Sequence, residues 1–157
     1  MKKLITLILI TLTLTACGNQ KNENLLQQIS EKNELVVVVS PDYPPYEFID
    51  PSKTGQDQYI GADIELAKYV AKEMGVELVI KPMDFSDIPS AVALNRFDLG
   101  ISGFTYTDER AEQIQFSIPY DNSESSCQGF LVRKDSSDKF SNIEDFKDAT
   151  IVVQNGS

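Results

Sequence analysis

The sequence predicts an α/β fold whose sheet is dominated by parallel pairing. Apolar runs with strand character alternate along the chain with segments whose apolar residues recur at helical spacing. Three such strands separated by two helices give a β-α-β-α-β series, which favours parallel strands joined by right-handed crossovers. The first run, residues 35–39, is unbroken by polar side chains, as expected of a strand buried on both faces.

The first helix of the series is predicted over residues 63–74, where apolar side chains follow a 3.6-residue period. Asp63 stands at the position expected for an N-cap, which accepts hydrogen bonds from the first backbone N–H groups of a helix. Gly75 stands where the chain must adopt a positive φ after the last helical turn. Residues 76–80 then form the second predicted strand.

The second helix begins after Ser86 or Asp87, either of which can cap it. Its apolar side chains are those of Ile88, Ala91, Val92 and Leu94. Residues 98–102 form a short third strand. Shorter signals predict the remaining elements, which are a helix start at 107–113, an extended turn at 116–120, a strand at 128–133, a Ser141-x-x-Glu144 capping box and a strand at 150–153.

The N-terminus is predicted to be a targeting segment. Lys2 and Lys3 precede an apolar stretch, residues 4–14, that is too short to span a membrane but suits a signal peptide. The Leu-Thr-Ala before Cys17 resembles a bacterial lipobox, so residues 1–16 are expected to be removed and Cys17 to carry a lipid, such as palmitate. An ordinary signal peptide with a chance Cys is the alternative. Residues 17–34 then form the lipidated Cys and its tether.

Charge and composition exclude several function classes. The 157 residues carry 24 acidic and 14 basic side chains, for a net charge of −10, which argues against binding to nucleic acid and to anionic lipid surfaces. The absence of His excludes His-based triads and His-ligated metal sites. Cys17 and Cys127 are too far apart in sequence for a CxxC redox motif, and a single Cys in the exported body cannot form an internal disulfide. We therefore expect no catalytic residues, no metal and no cofactor.

Three loops that follow the predicted strands carry the candidate binding chemistry. Ligands of open α/β sheets bind beyond the carboxyl ends of the strands. The first loop, residues 41–48, is stiffened by proline and rich in aromatic residues, and the second loop covers residues 82–85. The third loop, residues 102–110, offers hydroxyl groups, a glycine that allows close backbone approach, and Arg110.

Arg110 lies in the first turn of a predicted helix, where the helix dipole does not favour a cation. A planar guanidinium near backbone N–H groups can bind a carboxylate or a phosphate. With Tyr43, Tyr46 and Phe85 as walls, the pattern indicates a small ligand that has an anionic head and a body held between rings. Other interpretations stay open: Arg110 could pair on the surface with an acidic neighbour, namely Asp108, Glu109 or Glu112.

Two further groups also have two interpretations. Tyr46 and Phe48 could belong to the core rather than to a binding site. Asp63 and Glu65 could form a pair of carboxylates for acid–base chemistry. The simpler interpretation makes Asp63 a helix cap and Glu65 part of a solvated helix face.

The order of five segments resembles solute-binding protein family 3, the extracytoplasmic binding proteins of polar amino-acid ABC importers. The segments are LVVVVSPDYPPYEF, YIGADIELAKYVAKEMG, IPSAVALNRFDLGISGFTYTDERAEQIQFSIPY, GFLVRKD and VVQNGS. The resemblance implies a periplasmic-binding-protein-like fold of type II, with two hinged lobes that close on an amino acid. It also implies an ABC permease in the membrane as partner, a lipid-anchored extracytoplasmic location and a monomeric binding protein.

The resemblance assigns ligand contacts residue by residue. It implies that Arg110 binds the α-carboxylate, that Gly103 and Thr105 bind polar groups of the ligand, and that Tyr43 and Phe85 stack on its side chain. Ser157, after Gly156, matches the start of the site on the second lobe. Ala62 replaces an aromatic residue that is usual before Asp63.

Lobe one is expected over residues 35–124, and the first hinge strand with the start of lobe two over 125–157. On this interpretation the chain is truncated after the first lobe and binds amino acids poorly. Two alternatives remain open, because sensory ligand-binding domains and dehydratases of prephenate-like substrates share this fold.

Overall fold

The computed structural model describes residues 24–120 and 129–157. The predicted signal peptide at 1–16, the lipidation site Cys17, and Cys127 lie outside the described residues, as do positions 125–128 of the predicted hinge strand. In the part of the chain that is described, no helix has both the length and the apolar character needed to cross a membrane.

The described elements alternate between helices and strands through the first two thirds of the chain. In chain order they are helix α1 (Leu25–Lys32), strands β1 (Glu34–Val39), β2 (Asp42–Tyr43) and β3 (Glu47–Ile49), a 3-10 turn (Gly55–Gln58), strand β4 (Tyr59–Ile60), helix α2 (Ala62–Met74), strand β5 (Glu77–Pro82), a 3-10 turn (Phe85–Asp87), helix α3 (Ile88–Ala93), strand β6 (Leu99–Gly100), helix α4 (Asp108–Ala111) and two 3-10 helices (Lys134–Lys139 and Ile143–Phe146).

Strand β1 lies between β5 and β6 and runs parallel to both, which confirms the predicted parallel sheet. Its side chains alternate between two covered faces, so the run without polar residues is explained. Val37 and Val39 pack in one core with Ile64 and Ala67 of α2. On the other face, a Cβ added to Gly100 would meet Ile88 and Val92 of α3 and also Val38, so α3 packs on the face that Val38 occupies and a helix covers each face.

Helix α1 lies in the segment that the sequence assigns to a tether. Its Ile29 is only 3% exposed and belongs to the core cluster with Leu35. Asn33 ends the helix in the left-handed conformation, and its backbone N–H donates to the last helical turn. Because burial of Ile29 anchors this helix, residues 25–34 are part of the folded body.

The first loop and the later strand β4 form a small antiparallel sheet, which was not predicted from the sequence. Strand β3 pairs with β2 through Asp42 opposite Phe48, and with β4 through Ile49 opposite Tyr59. These strands are two or three residues long and show no extended alternation, so their pattern is too short to detect in a sequence. This small antiparallel sheet places the aromatic side chains of the first loop beside the main parallel sheet.

The predicted helices are present, but their N-termini differ in detail. Helix α2 begins at Ala62 with Gly61 as its N-cap residue, so the prediction that Asp63 caps the helix is wrong. Asp87 precedes α3 but makes no side-chain cap bond. Thr107 caps α4, as its Oγ1 accepts from the Arg110 backbone N–H at 3.2 Å.

Residues 129–157 depart most from prediction. The described part of the 128–133 segment and residues 150–153 form no strand, since neither pairs with another strand of the described chain. The short helix near 143 is confirmed, but its capping box joins Asn142 and Asp145 instead of Ser141 and Glu144. In this region aromatic rings stack on one another, with the centroids of Phe130 and Phe146 4.2 Å apart.

Gly61 fixes the first loop to the start of α2. Its φ is +125°, and a Cβ there would lie 2.2 Å from the Tyr46 carbonyl oxygen. The neighbouring N–H groups of Ala62 and Asp63 donate to Pro45 and Tyr46 carbonyls at 3.0 and 2.8 Å. A side chain at position 61 therefore cannot be accommodated without moving backbone.

We expect Gly61→Ala to lower the free energy of unfolding by more than 3 kcal/mol, on the order of the cost of backbone strain plus overpacking. Gly75→Ala is the matched control, because Gly75 also has positive φ (+69°) but nothing lies within 4 Å of an added Cβ. The control should cost only about 1–2 kcal/mol. Urea denaturation of both variants measures the difference, and equal losses would contradict this account of Gly61.

Candidate ligand-binding site

The three loops predicted to carry binding chemistry converge at the carboxyl edge of the parallel sheet. The residue that precedes the first loop is joined to the third loop where the Ser40 backbone N–H donates to Ser102 Oγ at 3.0 Å. The second and third loops are joined where the Phe85 and Phe104 rings stack with their centroids 4.4 Å apart. Parallel pairing places the ends of β1, β5 and β6 at one edge, and the loops therefore meet there.

Tyr43 forms an exposed aromatic wall above the third loop. Its side chain is 50% exposed and stacks on Tyr46 with the ring centroids 5.3 Å apart. A Cβ added to Gly103 would lie 3.3 Å from the Tyr43 ring, so the ring rests against this glycine. The absence of a side chain at Gly103 allows that approach.

Arg110 is held at the same edge by carbonyl oxygens and aromatic rings. Its Nη1 donates to the Thr105 carbonyl at 2.8 Å, and its Nη2 donates to the Gly156 carbonyl. The guanidinium carbon lies 5.5 and 5.4 Å from the centroids of Phe85 and Phe104, within the range of cation–π attraction. The position predicted for Arg110 in the first turn of a helix is confirmed.

The ion pairs found among residues 24–120 and 129–157 do not include Arg110. The alternative in which Arg110 pairs with Asp108, Glu109 or Glu112 is therefore not what the structure shows. A guanidinium that donates to neutral carbonyls retains its full positive charge. A carboxylate that replaced one of these carbonyls would gain a charge-assisted, bidentate interaction.

Ser157 lies close to this site through the turn that contains it. Both its backbone N–H and its Oγ donate to the Gln154 carbonyl, at 3.2 and 2.9 Å. The preceding Gly156 packs against Ser86, since a Cβ there would lie 3.0 Å from the Ser86 Cα. The predicted residues Tyr43, Phe85, Gly103, Thr105, Arg110 and Ser157 are thus brought to one edge of the fold.

Two buried carboxyl groups beneath the third loop were not predicted as a site. Glu47 and Asp63 are both 0% exposed. Ser102 Oγ donates to Glu47 Oε1, and Asp63 Oδ2 accepts from the Gly103 N–H at 2.9 Å and from the Tyr120 hydroxyl at 3.0 Å. Asp63 is therefore neither a cap nor a surface residue. Glu65, by contrast, is on the solvated face as predicted, paired with Lys68 at 2.7 Å.

The pKa of Glu47 is raised from 4.5 to about 8, chiefly by burial and also by the nearby Asp63 charge, against the lowering effect of the Ser102 hydrogen bond. Burial and the Asp63 charge likewise raise the pKa of Tyr120. Glu47 is consequently a neutral acid at neutral pH. A glutamate two residues after the Pro-Pro pair gave no separate signal in the sequence, because burial of a carboxyl depends on contacts made by distant segments.

The site as a whole is suited to binding, with one cation, aromatic faces and hydroxyl groups. No group of three or more Cys, Asp or Glu residues in the described ranges is arranged to hold a metal ion. Residues 35–154 match the family model of bacterial extracellular solute-binding proteins, family 3. The chain belongs to this family. Its α/β architecture is that of the periplasmic-binding-protein-like amino-acid-binding proteins among the solved structures.

Two curated proteins and one structure illustrate how this family 3 chain relates to others. It is 36% identical over 160 residues to the arginine-binding extracellular protein ArtP of Bacillus subtilis, a match that covers 100% of this chain and 57% of ArtP. It is 33% identical over 107 residues to the cyclohexadienyl dehydratase of Pseudomonas aeruginosa, covering 68% of this chain and 38% of the enzyme. The chain therefore spans a little more than half of the length of ArtP and less than two fifths of the length of the dehydratase.

A solved structure resembles the chain over a single domain. It is a point mutant of the arginine-bound form of domain 1 from TmArgBP, with a TM-score of 0.59 and 33% identity. The match covers 72% of this family 3 chain and 88% of that one. For TmArgBP, one domain was thus crystallised in an arginine-bound form.

The raised pKa of Glu47 gives the stability of this chain a predictable pH dependence. The folded state keeps a proton that the unfolded state releases near pH 4.5, so the associated stability is complete below that pH and is lost as the pH rises towards 8. Between these limits the free energy of unfolding should fall by roughly 1 kcal/mol per pH unit relative to Glu47→Gln, which cannot ionise. Urea denaturation of both proteins across this range measures the difference. Parallel curves would show that Glu47 titrates normally.

Proposed function

We propose that this chain contains the ligand-binding lobe of an extracytoplasmic lipoprotein that captures a polar amino acid and delivers it to an ABC permease. The observation that carries the proposal is the geometry of Arg110, a cation held at the sheet edge by two carbonyls beside stacked aromatic rings. Membership of family 3 and the name of ArtP support the same ligand class. Lipid attachment at Cys17 and export directed by residues 1–16 belong to this proposal.

Each site residue has a proposed role that follows from its chemistry. Arg110 binds the α-carboxylate of the ligand, and Tyr43 and Phe85 contact its side chain. Thr105 offers a hydroxyl and Gly103 a main-chain group, although the Gly103 N–H already donates to Asp63. Ser157 supplies a further contact from the 125–157 segment, which we assign to the hinge and the start of lobe two, whereas residues 35–124 form lobe one.

A cationic amino acid such as arginine is the favoured ligand. Asp42 is exposed next to Tyr43, and its carboxylate is oriented by a 3.0 Å hydrogen bond from Ser40 Oγ. A guanidinium or ammonium side chain stacked on Tyr43 could interact with this carboxylate. ArtP and the TmArgBP domain are both named for arginine, which supports this choice.

A dehydratase is the second candidate because one relative carries that name. Such an enzyme needs an acid and a base that reach the substrate. The neutral acid Glu47 has the required protonation state, but its side chain is fully buried, as is that of Asp63. Binding without catalysis is therefore the better supported function, and incubation with prephenate followed by product analysis tests the enzyme directly.

Removal of the Arg110 guanidinium should abolish most ligand binding. We expect Arg110→Ala to weaken binding of L-arginine by at least about 1.5–3 kcal/mol, the typical worth of hydrogen bonds to charged groups. NMR titration of the full chain measures the affinity and also detects weak binding. Arg96→Ala is the matched control, since Arg96 is exposed and precedes β6 at the opposite edge of the sheet. Equal affinities of the two variants would place the carboxylate site elsewhere.

Tyr43 should contribute through ring contact with the ligand. Tyr43→Ala is expected to weaken L-arginine binding by about 0.5–1.5 kcal/mol or more, the usual magnitude of an aromatic contact. Tyr69→Ala removes a somewhat more exposed ring (61% exposed) from the solvent side of α2 and serves as the control. The same titration compares them. If both variants bind like the wild type, Tyr43 is not a wall of the site.

A further inference from the structure

The buried carboxyl groups of Glu47 and Asp63 leave one oxygen each without a partner among the described residues. These atoms are Glu47 Oε2 and Asp63 Oδ1. The other oxygen of each group is used, by Ser102 in one case and by Gly103 and Tyr120 in the other. A buried polar atom without a hydrogen bond costs free energy, and two adjacent ionised carboxylates would add repulsion.

One proton resolves both problems. A protonated Glu47 carries an O–H donor, and a side-chain hydrogen bond with Asp63 contributes to its raised pKa. Glu47 Oε2 and Asp63 Oδ1 are available for that hydrogen bond, because neither atom has another partner among the described residues. We infer that Glu47 and Asp63 form a buried carboxyl–carboxylate pair that shares one proton and acts as a positioning device for the Ser102–Gly103 turn of the binding loop.

The hydrogen bonds of the pair connect it to all parts of this turn. Glu47 accepts from Ser102 Oγ, which in turn accepts from the Ser40 N–H, so the ends of β1 and β6 are fixed to each other. Asp63 accepts from the Gly103 N–H and from Tyr120, which fixes the turn to the segment that follows α4. Residues from β3 and α2 thereby determine the position of the loop that leads to Arg110.

The groups that face Glu47 make loss of its proton unfavourable. Asp63 faces it from α2 and Asp42 from β2, and both raise its pKa by their charge. Tyr120 is a neutral hydroxyl at these pH values, since its own pKa is raised. Deprotonation of Glu47 would place a second negative charge beside Asp63 and remove the donor inferred for Asp63 Oδ1, which has no other partner among the described residues. We expect the turn to loosen when this occurs.

The consequence for ligand binding rests on the proposed function. Gly103 and Thr105 lie in or just after the turn, and Arg110 donates to the Thr105 carbonyl. Displacement of the turn would therefore move the groups proposed to contact the amino acid. The affinity for ligand should decline as Glu47 loses its proton.

The pair can be tested without any ligand. Carboxyl 13C NMR of the full chain, labelled in glutamate, reports the protonation of Glu47, and comparison with Glu47→Gln assigns its signal. We expect the Glu47 signal to titrate near pH 8. The Gly103 amide should lose up to about tenfold of its protection against hydrogen exchange for each pH unit as the pH rises towards this midpoint, and the loss should level off above it. In Glu47→Gln, whose amide can replace the O–H donor, the protection should be independent of pH.

Glu65→Gln is the matched control because it removes an exposed carboxylate from the same region, the first turn of α2. It should reproduce the wild-type titration and exchange behaviour. A Glu47 signal that titrates with the exposed glutamates would overturn the inference. So would a Gly103 amide whose protection is the same in the wild type and in Glu47→Gln at alkaline pH.

Binding of L-arginine over the same pH range separates this inference from the proposed function. The ratio of wild-type to Glu47→Gln affinity cancels the titration of the ligand itself, and we expect it to fall about tenfold per pH unit above the Glu47 midpoint. A Glu47 signal that titrates near 8 in a chain that binds no amino acid leaves the pair intact and contradicts the proposed function. Normal binding with a Glu47 signal that titrates near 4.5 contradicts the pair alone.

Discussion

The parallel pairing of β1 with β5 and β6 is the constraint on which the rest of the molecule depends. It buries β1 between two strands and two helices, and it forces the loops that follow all three strands to the same edge. Tyr43, Phe85 and Arg110 come from three different loops and meet only because of that alignment. A change of register in one strand would separate them without altering any of the residues themselves.

The sequence predicts this central layer well because its signals are local. An unbroken β-branched run, a 3.6-residue apolar stripe and a glycine after the helix each specify an element without reference to distant residues. Thr107 as a cap for α4 and Arg110 in its first turn follow from the same kind of signal. The strands predicted near residues 130 and 151 are not formed. A segment with strand propensity forms a strand only where the edge of another strand is available to pair with it.

The buried acidic residues show where such reasoning ends. Asp63 at a helix start fits the pattern of a cap, and only the approach of Gly103 and Tyr120 from elsewhere in the chain reveals its actual partners. Glu47 is joined to Ser102 across 55 positions in the sequence. A side chain whose protonation depends on desolvation cannot be recognised until the fold has been assembled around it. These residues lie directly beneath the proposed ligand contacts, so the carboxyl groups that were not predicted hold the loop that carries the residues proposed to bind ligand.

The hydrogen bond from Arg110 to the Gly156 carbonyl has a consequence for how an anion could enter. The Gly156 carbonyl accepts a hydrogen bond from one N–H of the guanidinium, as a carboxylate oxygen of a ligand would. It therefore competes with the ligand carboxylate for that N–H. An arriving carboxylate has to displace this internal competitor, and the apparent affinity is reduced by the fraction of molecules in which the turn is in place. The same hydrogen bond keeps the guanidinium oriented while no ligand is bound. When the Gly156 carbonyl leaves, the guanidinium is therefore already aligned to bind a carboxylate.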